Sequence, residues 1–145
     1  MKKHWVMDYE TLFDCFTGVF ENYKSNETKV FVIYKLRNDL TEFVEFLNDN
    51  IKNREWHISY NGLAFDAQVT HYILDNERSW VDLNGDDIAY AIYKYAQRCI
   101  QKSNNKEFAD YPQWKMQIGQ IDVFKMHHWD NPAKRSSLKW IQYSM

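Results

Sequence analysis

The strongest constraint on the fold is a change of hydrophobic period at Asp39. Before it, the runs "HWVMDYE", "DCFTGVFEN" and "KVFVIYKL" are rich in β-branched and aromatic residues and alternate in the manner of strands. Polar breaks such as "YKSNET" separate them, so three successive strands, paired antiparallel, are predicted. After Asp39, Leu40, Phe43, Val44, Phe46, Leu47 and Ile51 recur at steps of three and four, the spacing of an amphipathic helix. A chain that opens with a strand run and then switches to helical spacing builds a sheet first and covers it afterwards.

The remainder continues that plan. "WHISYN" reads as a fourth strand ended by Asn61 and Gly62, and "AFDAQVTHYILDN" returns to helical spacing. "DDIAYAIYKYAQRCIQKSNN" predicts a longer helix with Ile88, Ala91, Ile92, Tyr95 and Cys99 on one face. The polar stretch "KSNNKEFADYPQWKMQ" is the best loop candidate, mixing lysines with Phe108, Tyr111 and Trp114. "IGQIDVFKM" supplies a fifth strand, and "RSSLKWIQYSM" opens like a capped helix. The expectation is one α/β domain over residues 1–145, a mixed five-stranded sheet flanked by helices.

Composition agrees and excludes several classes. With 45% hydrophobic and 17% aromatic residues the chain is too rich in core-forming side chains for disorder, and 4 Gly and 2 Pro leave little room for long linkers. A net charge of -2 gives no bulk attraction to nucleic acid, so such binding needs a local basic patch or bridging cations. Cys15 and Cys99 stand in apolar surroundings without a zinc-ligand spacing and read as free thiols of a reducing cytoplasm. No apolar run approaches ~20 residues, and the N-terminus meets acidic residues before a signal core can form; neither a membrane span nor secretion is expected.

Asp8 and Glu10 lie two apart on the first strand and therefore project from one face, opposite Trp5, Met7 and Tyr9. Paired carboxylates repel unless hydrated or joined by a cation, so the pair is either a solvated strand end or part of a metal site. Asp66 opens the helix after "ISYNGLAF", where an aspartate is a cap, a dipole partner or a ligand. The adjacent His127 and His128, beside Asp130, face opposite ways and make a poor joint ligand set, and His57 and His71 read as structural. Lys102, Lys106 and Lys115, with Lys134, Arg135 and Lys139, are candidate phosphate contacts or a solvated face.

Taken in order, "VMDYET", "ISYNGLAFD" and "QIDVFKMHHWDNPAKRSSLKW" resemble the DEDD superfamily of 3′-5′ exonucleases, especially the proofreading domains of phage and bacterial family A DNA polymerases. The resemblance implies a ribonuclease H-like fold. It also implies a two-metal Mg²⁺ or Mn²⁺ site in which Asp8, Glu10 and Asp66 are catalytic ligands: Asp8 bridging the ions, Glu10 orienting the attacking water and Asp66 on the second ion. Tyr9, Leu12, Asn61 and Phe65 would contact single-stranded DNA or RNA at its 3′ end, with core packing the competing role for Tyr9, Leu12 and Phe65. The family's fourth carboxylate lies beyond the Ser-Leu-Lys segment, where this chain ends at Met145; a missing C-terminal helix and an incomplete metal site are therefore expected. Asp122 and Asp130 are the nearest substitutes.

Two functions follow from the resemblance. One is metal-dependent 3′-5′ exonuclease action. The other is an inactive nuclease derivative that binds nucleic acid or protein, for example a phage inhibitor of host defence in the host cytoplasm. An uncovered flank lined by Trp140, Ile141 and Tyr143 would take a protein partner or a second copy of the chain.

Overall fold

The computed structural model describes residues 3–124. Three strands come first: β1 (Trp5–Leu12), β2 (Cys15–Asn22) and β3 (Thr28–Tyr34) form an antiparallel meander with Asp8 opposite Val19 and Glu10 opposite Thr17. The two-residue β4 (Arg37–Asn38) turns back on β3 and adds a sixth strand that its length made invisible to periodicity. Then come α1 (Leu40–Asn53), β5 (His57–Ser59), α2 (Asp66–Asn76), α3 (Gly85–Asn104) and β6 (Gln120–Asp122). The order across the sheet is β4-β3-β2-β1-β5-β6, with β5 parallel to β1 and β6 parallel to β5. The described residues form a mixed six-stranded sheet flanked by helices.

Strand alternation sorts the two faces. Trp5, Met7, Tyr9, Phe16, Phe20, Phe31 and Ile33 are buried and merge into one core with Phe43, Phe46 and Leu47 of α1, Val69 and Ile73 of α2, and Ile88 and Ile92 of α3. Aromatic edges lock this layer, with Trp5 meeting Phe46 at 5.1 Å and Phe20 meeting Phe46 at 4.8 Å between centroids. On the opposite face Val19 and Val30 are exposed at 41% and 46%, beside Asp8 and Glu10 on the neighbouring strand.

A buried polar network ties the N-terminal ends of β1 and β5 to α1. Glu55 accepts from Trp5 Nε1 at 3.2 Å and from Asn50 Nδ2 at 3.1 Å. Because the Asn50 amide donates there, its oxygen must accept, and His57 Nε2 donates to it at 2.7 Å. His57 is neutral, its pKa depressed to about 3, first by burial and then by the neighbouring His71. The structural reading of both histidines holds: His71 Nδ1 donates to the Ala67 carbonyl while its Nε2 accepts from the Gln117 N–H, which fixes the loop before β6 to α2.

Of the sequence expectations, His127, His128, Asp130, Lys134, Arg135, Lys139, Trp140, Ile141 and Tyr143, and the C-terminal helix, lie outside the described residues. Among the described residues no helix is long and apolar enough to cross a membrane. Cys15 and Cys99 are free thiols, Cys99 buried and Cys15 half-buried.

Candidate functional site

The turn between β5 and α2 builds the site. Asn61 takes the left-handed conformation with φ 58°, which an asparagine tolerates better than most residues. Asp122, at the end of β6, latches that turn: its Oδ1 accepts from the Asn61 N–H at 2.8 Å and the Phe124 N–H at 3.0 Å, and its Oδ2 from the Leu63 N–H at 3.3 Å. Glycine suits position 62, since a Cβ there would stand 1.7 Å from Ser59 Oγ and force that side chain to shift. The Gly62 carbonyl then accepts from the Phe65 and Ala67 N–H groups at 3.2 and 2.7 Å, and Asp66 becomes the first residue of α2.

Asp66 is only 5% exposed, and its carboxylate accepts no hydrogen bond among the described residues. Burial holds its pKa well above the usual carboxylate range, and the charges of Asp8 and then Asp122 push it the same way. Asp8 stands half-buried on β1, and the two aspartates line one open cleft of about 420 Å³. Its other walls include Tyr60, Asn61 and Phe65 from the turn, and Ile100, Ser103 and Asn104 from the end of α3. A carboxylate enclosed without donors, facing a second carboxylate across a cleft, is an arrangement that a cation would stabilise.

The remaining expected residues divide. Asn61 and Phe65 reach the cleft, Phe65 also packing in part against the core. Leu12 is exposed at the tip of the β1–β2 hairpin, outside the cleft wall. Glu10 shares the strand face of Asp8 but stands exposed and outside that wall, and among the described residues no three His, Cys, Asp or Glu side chains gather around one point fit for an ion. Tyr9 stands in both places: its ring packs in the core among Phe16, Phe20 and Phe43, over Gly18, and its hydroxyl pairs with Thr70 Oγ1 at 2.6 Å, while it also contributes to the cleft wall beside Asp8. Burial drives the phenol's pKa upward.

Three contributions escaped sequence reading, Asp122 having been weighed there only as a substitute carboxylate. Asp122 sits 61 residues from the turn it latches, and no local pattern announces such a bond. Gln68 is buried on α2, where its Nε2 donates to the Leu63 and Tyr111 carbonyls at 2.9 and 2.8 Å and its Oε1 accepts from the Tyr111 N–H at 2.8 Å. The end of α3 lines the cleft because that helix packs across β1, β2 and β3, a tertiary fact.

No family model, no curated protein and no solved structure matches the chain.

Proposed function

We propose that the protein is a 3′-5′ exonuclease-type protein of ribonuclease H-like fold that engages the 3′ ends of single-stranded nucleic acid through a divalent cation held by Asp8 and Asp66. The observation that carries this reading is the enclosed, donor-free Asp66 carboxylate facing the Asp8 cleft. The sheet order supports it: the strand bearing Asp8 is central, with an antiparallel meander on one side and parallel β5 and β6 on the other. So does the sequence order of the motifs, from "VMDYET" to "ISYNGLAFD".

The residues fit a Mg²⁺ or Mn²⁺ ion in part, since Asp8 and Asp66 offer oxygen donors in one cleft while Glu10 lies outside its wall. Bound there, such a metal supplies Lewis-acid polarisation of a phosphodiester and lowers the pKa of a coordinated water. The chain's own contribution is to bury most of Asp66 while leaving it on the cleft, to place Asp8 on the same cleft, and to fix the Asn61 turn through the Asp122 latch. The position of Glu10 favours the second reading, a nuclease derivative that binds nucleic acid or a protein partner without cleaving.

The test uses 5′-labelled single-stranded DNA and RNA with Mg²⁺ or Mn²⁺. A ladder shortening from the 3′ end, abolished by Asp8→Ala and by Asp66→Ala, supports exonuclease action. Intact substrate with a cation-dependent gel shift supports the binding reading, and intact substrate without a shift refutes both for nucleic acid.

A further inference from the structure

The aspartate cleft does not end at α3. A second cavity of about 200 Å³ adjoins it and shares the wall residues Ala64, Cys99 and Ser103. The two form one trough that runs from Asp8 and Asp66 around the last turn of α3 to Lys106 and Glu107. The chemistry changes along it, from Asp8 and Asp66 at one end to a mixed wall of Lys102, Lys106, Glu107 and Asp110 at the other, with Ser103 common to both.

Hydrogen bonds tie down the far wall. Lys106 is in the left-handed region with φ 57°, held there by bonds from its own N–H to the Ser103 carbonyl at 3.2 Å and from the Glu107 N–H to the Lys102 carbonyl at 2.8 Å. The following segment is pinned at Asp110, which takes Lys102 and the Tyr95 hydroxyl, and at Tyr111, whose backbone is clasped by Gln68 and whose hydroxyl donates to Asp75 at 2.6 Å. The ion pairs of this wall join Arg98 and Lys102 to Asp110, and Lys106 enters neither. Between these anchors Phe108 is 96% exposed on the rim, its neighbours Glu107 and Ala109 both lining the cavity. A fully exposed ring beside an ammonium outside these ion pairs, both on a hydrogen-bonded segment, offers one stacking surface and one phosphate contact with little backbone left to order.

Resting on the nucleic-acid reading above, we infer that this second compartment receives the nucleotides upstream of the 3′ end, with Lys106 contacting a backbone phosphate and Phe108 stacking on a base. A single strand presents one phosphate and one ring face per nucleotide, and its terminus would lie in the adjoining aspartate cleft. Aromatic stacking of this kind tolerates any base, so the path is one of length rather than of sequence.

Fluorescence anisotropy tests it, using 5′-fluorescein oligothymidylates of about ten nucleotides and a labelled dinucleotide, with Ca²⁺ present. Phe108→Ala should weaken the longer strand by about 5- to 150-fold and leave the dinucleotide unchanged. Lys106→Ala should lower the slope of log affinity against log salt by about one for the longer strand. Both side chains are exposed, so folding should be unaltered, and an unchanged melting temperature checks it. If the unmodified protein binds the longer strand and neither variant alters that binding, the upstream path is refuted and the aspartate site stands. If the unmodified protein binds neither strand, the nucleic-acid reading falls and this inference with it.

Discussion

Removing the Asp122 carboxylate should unlatch the turn that positions Asp66. Its oxygens accept three backbone N–H groups, two at 2.8 and 3.0 Å on Oδ1 and one at 3.3 Å on Oδ2. Hydrogen bonds to a charged group contribute about 1.5–3 kcal/mol each, but the 3.3 Å contact belongs at the weak end and water can reach the exposed Asn61. A loss of about 3–5 kcal/mol is therefore expected for Asp122→Ala, from two strong and one weak hydrogen bond to a charged acceptor. Asp122→Asn keeps an oxygen for Asn61 and Phe124 but turns an amide donor toward Leu63, so it should lose about 1–2 kcal/mol. Urea unfolding followed by tryptophan fluorescence reads both, with an unchanged m-value showing that the same surface is exposed. Against a total stability of about 5–15 kcal/mol, the alanine variant should unfold at a much lower midpoint. An Asp122→Ala variant within about 1 kcal/mol of the parent would refute the latch.

Other perturbations give equally direct readings. Since Asp66 has a raised folded-state pKa, the stability it contributes is fully present below its unfolded value near 3.8 and is lost as pH rises through the folded value. Asp66→Asn, without divalent cations, should accordingly melt above the parent at pH 8 and converge with it near pH 4; a variant less stable at pH 8 contradicts this. His57 has the opposite sense, its contribution being present above pH 6.5 and lost as pH falls toward about 3, at up to about 1.4 kcal/mol per pH unit. His57→Gln, which keeps a donor for Asn50, should flatten the acid limb of stability, and an unaltered slope would show that His57 is not the group being charged. Ser59 Oγ is buried without a partner, so Ser59→Ala should be neutral or stabilising by up to about 1 kcal/mol. Gly62→Ala should lose about 1–3 kcal/mol, part of it recovered when combined with Ser59→Ala, and strict additivity would mean the two sites do not touch.

Local pattern carried the strands and helices well because their periods are set by burial of one face. The alternation in "WVMDYE" sets Asp8 and Glu10 opposite Trp5 and Met7, as the sheet has them. The same alternation puts most of the Tyr9 ring in the core, the role that competes with base stacking there, although the residue also borders the cleft. Glu10 was harder, because sharing a strand face with Asp8 does not establish sharing its cleft. β4 is two residues long, below any period, and joins the sheet through its pairing with β3. The Asp122 latch, the Gln68 clasp and the His71 staple bridge 43 to 61 residues, and each depends on where the sheet and helices pack rather than on neighbours in the chain.

Manganese binding, followed by calorimetry or by loss of the free-ion electron paramagnetic resonance signal, tests the central claim that Asp8 and Asp66 share a cation. The account predicts saturable binding by the parent protein, abolished by Asp8→Asn and by Asp66→Asn and weakened less by Glu10→Gln. A parent that binds no manganese, or binding that survives both aspartate substitutions, would contradict it.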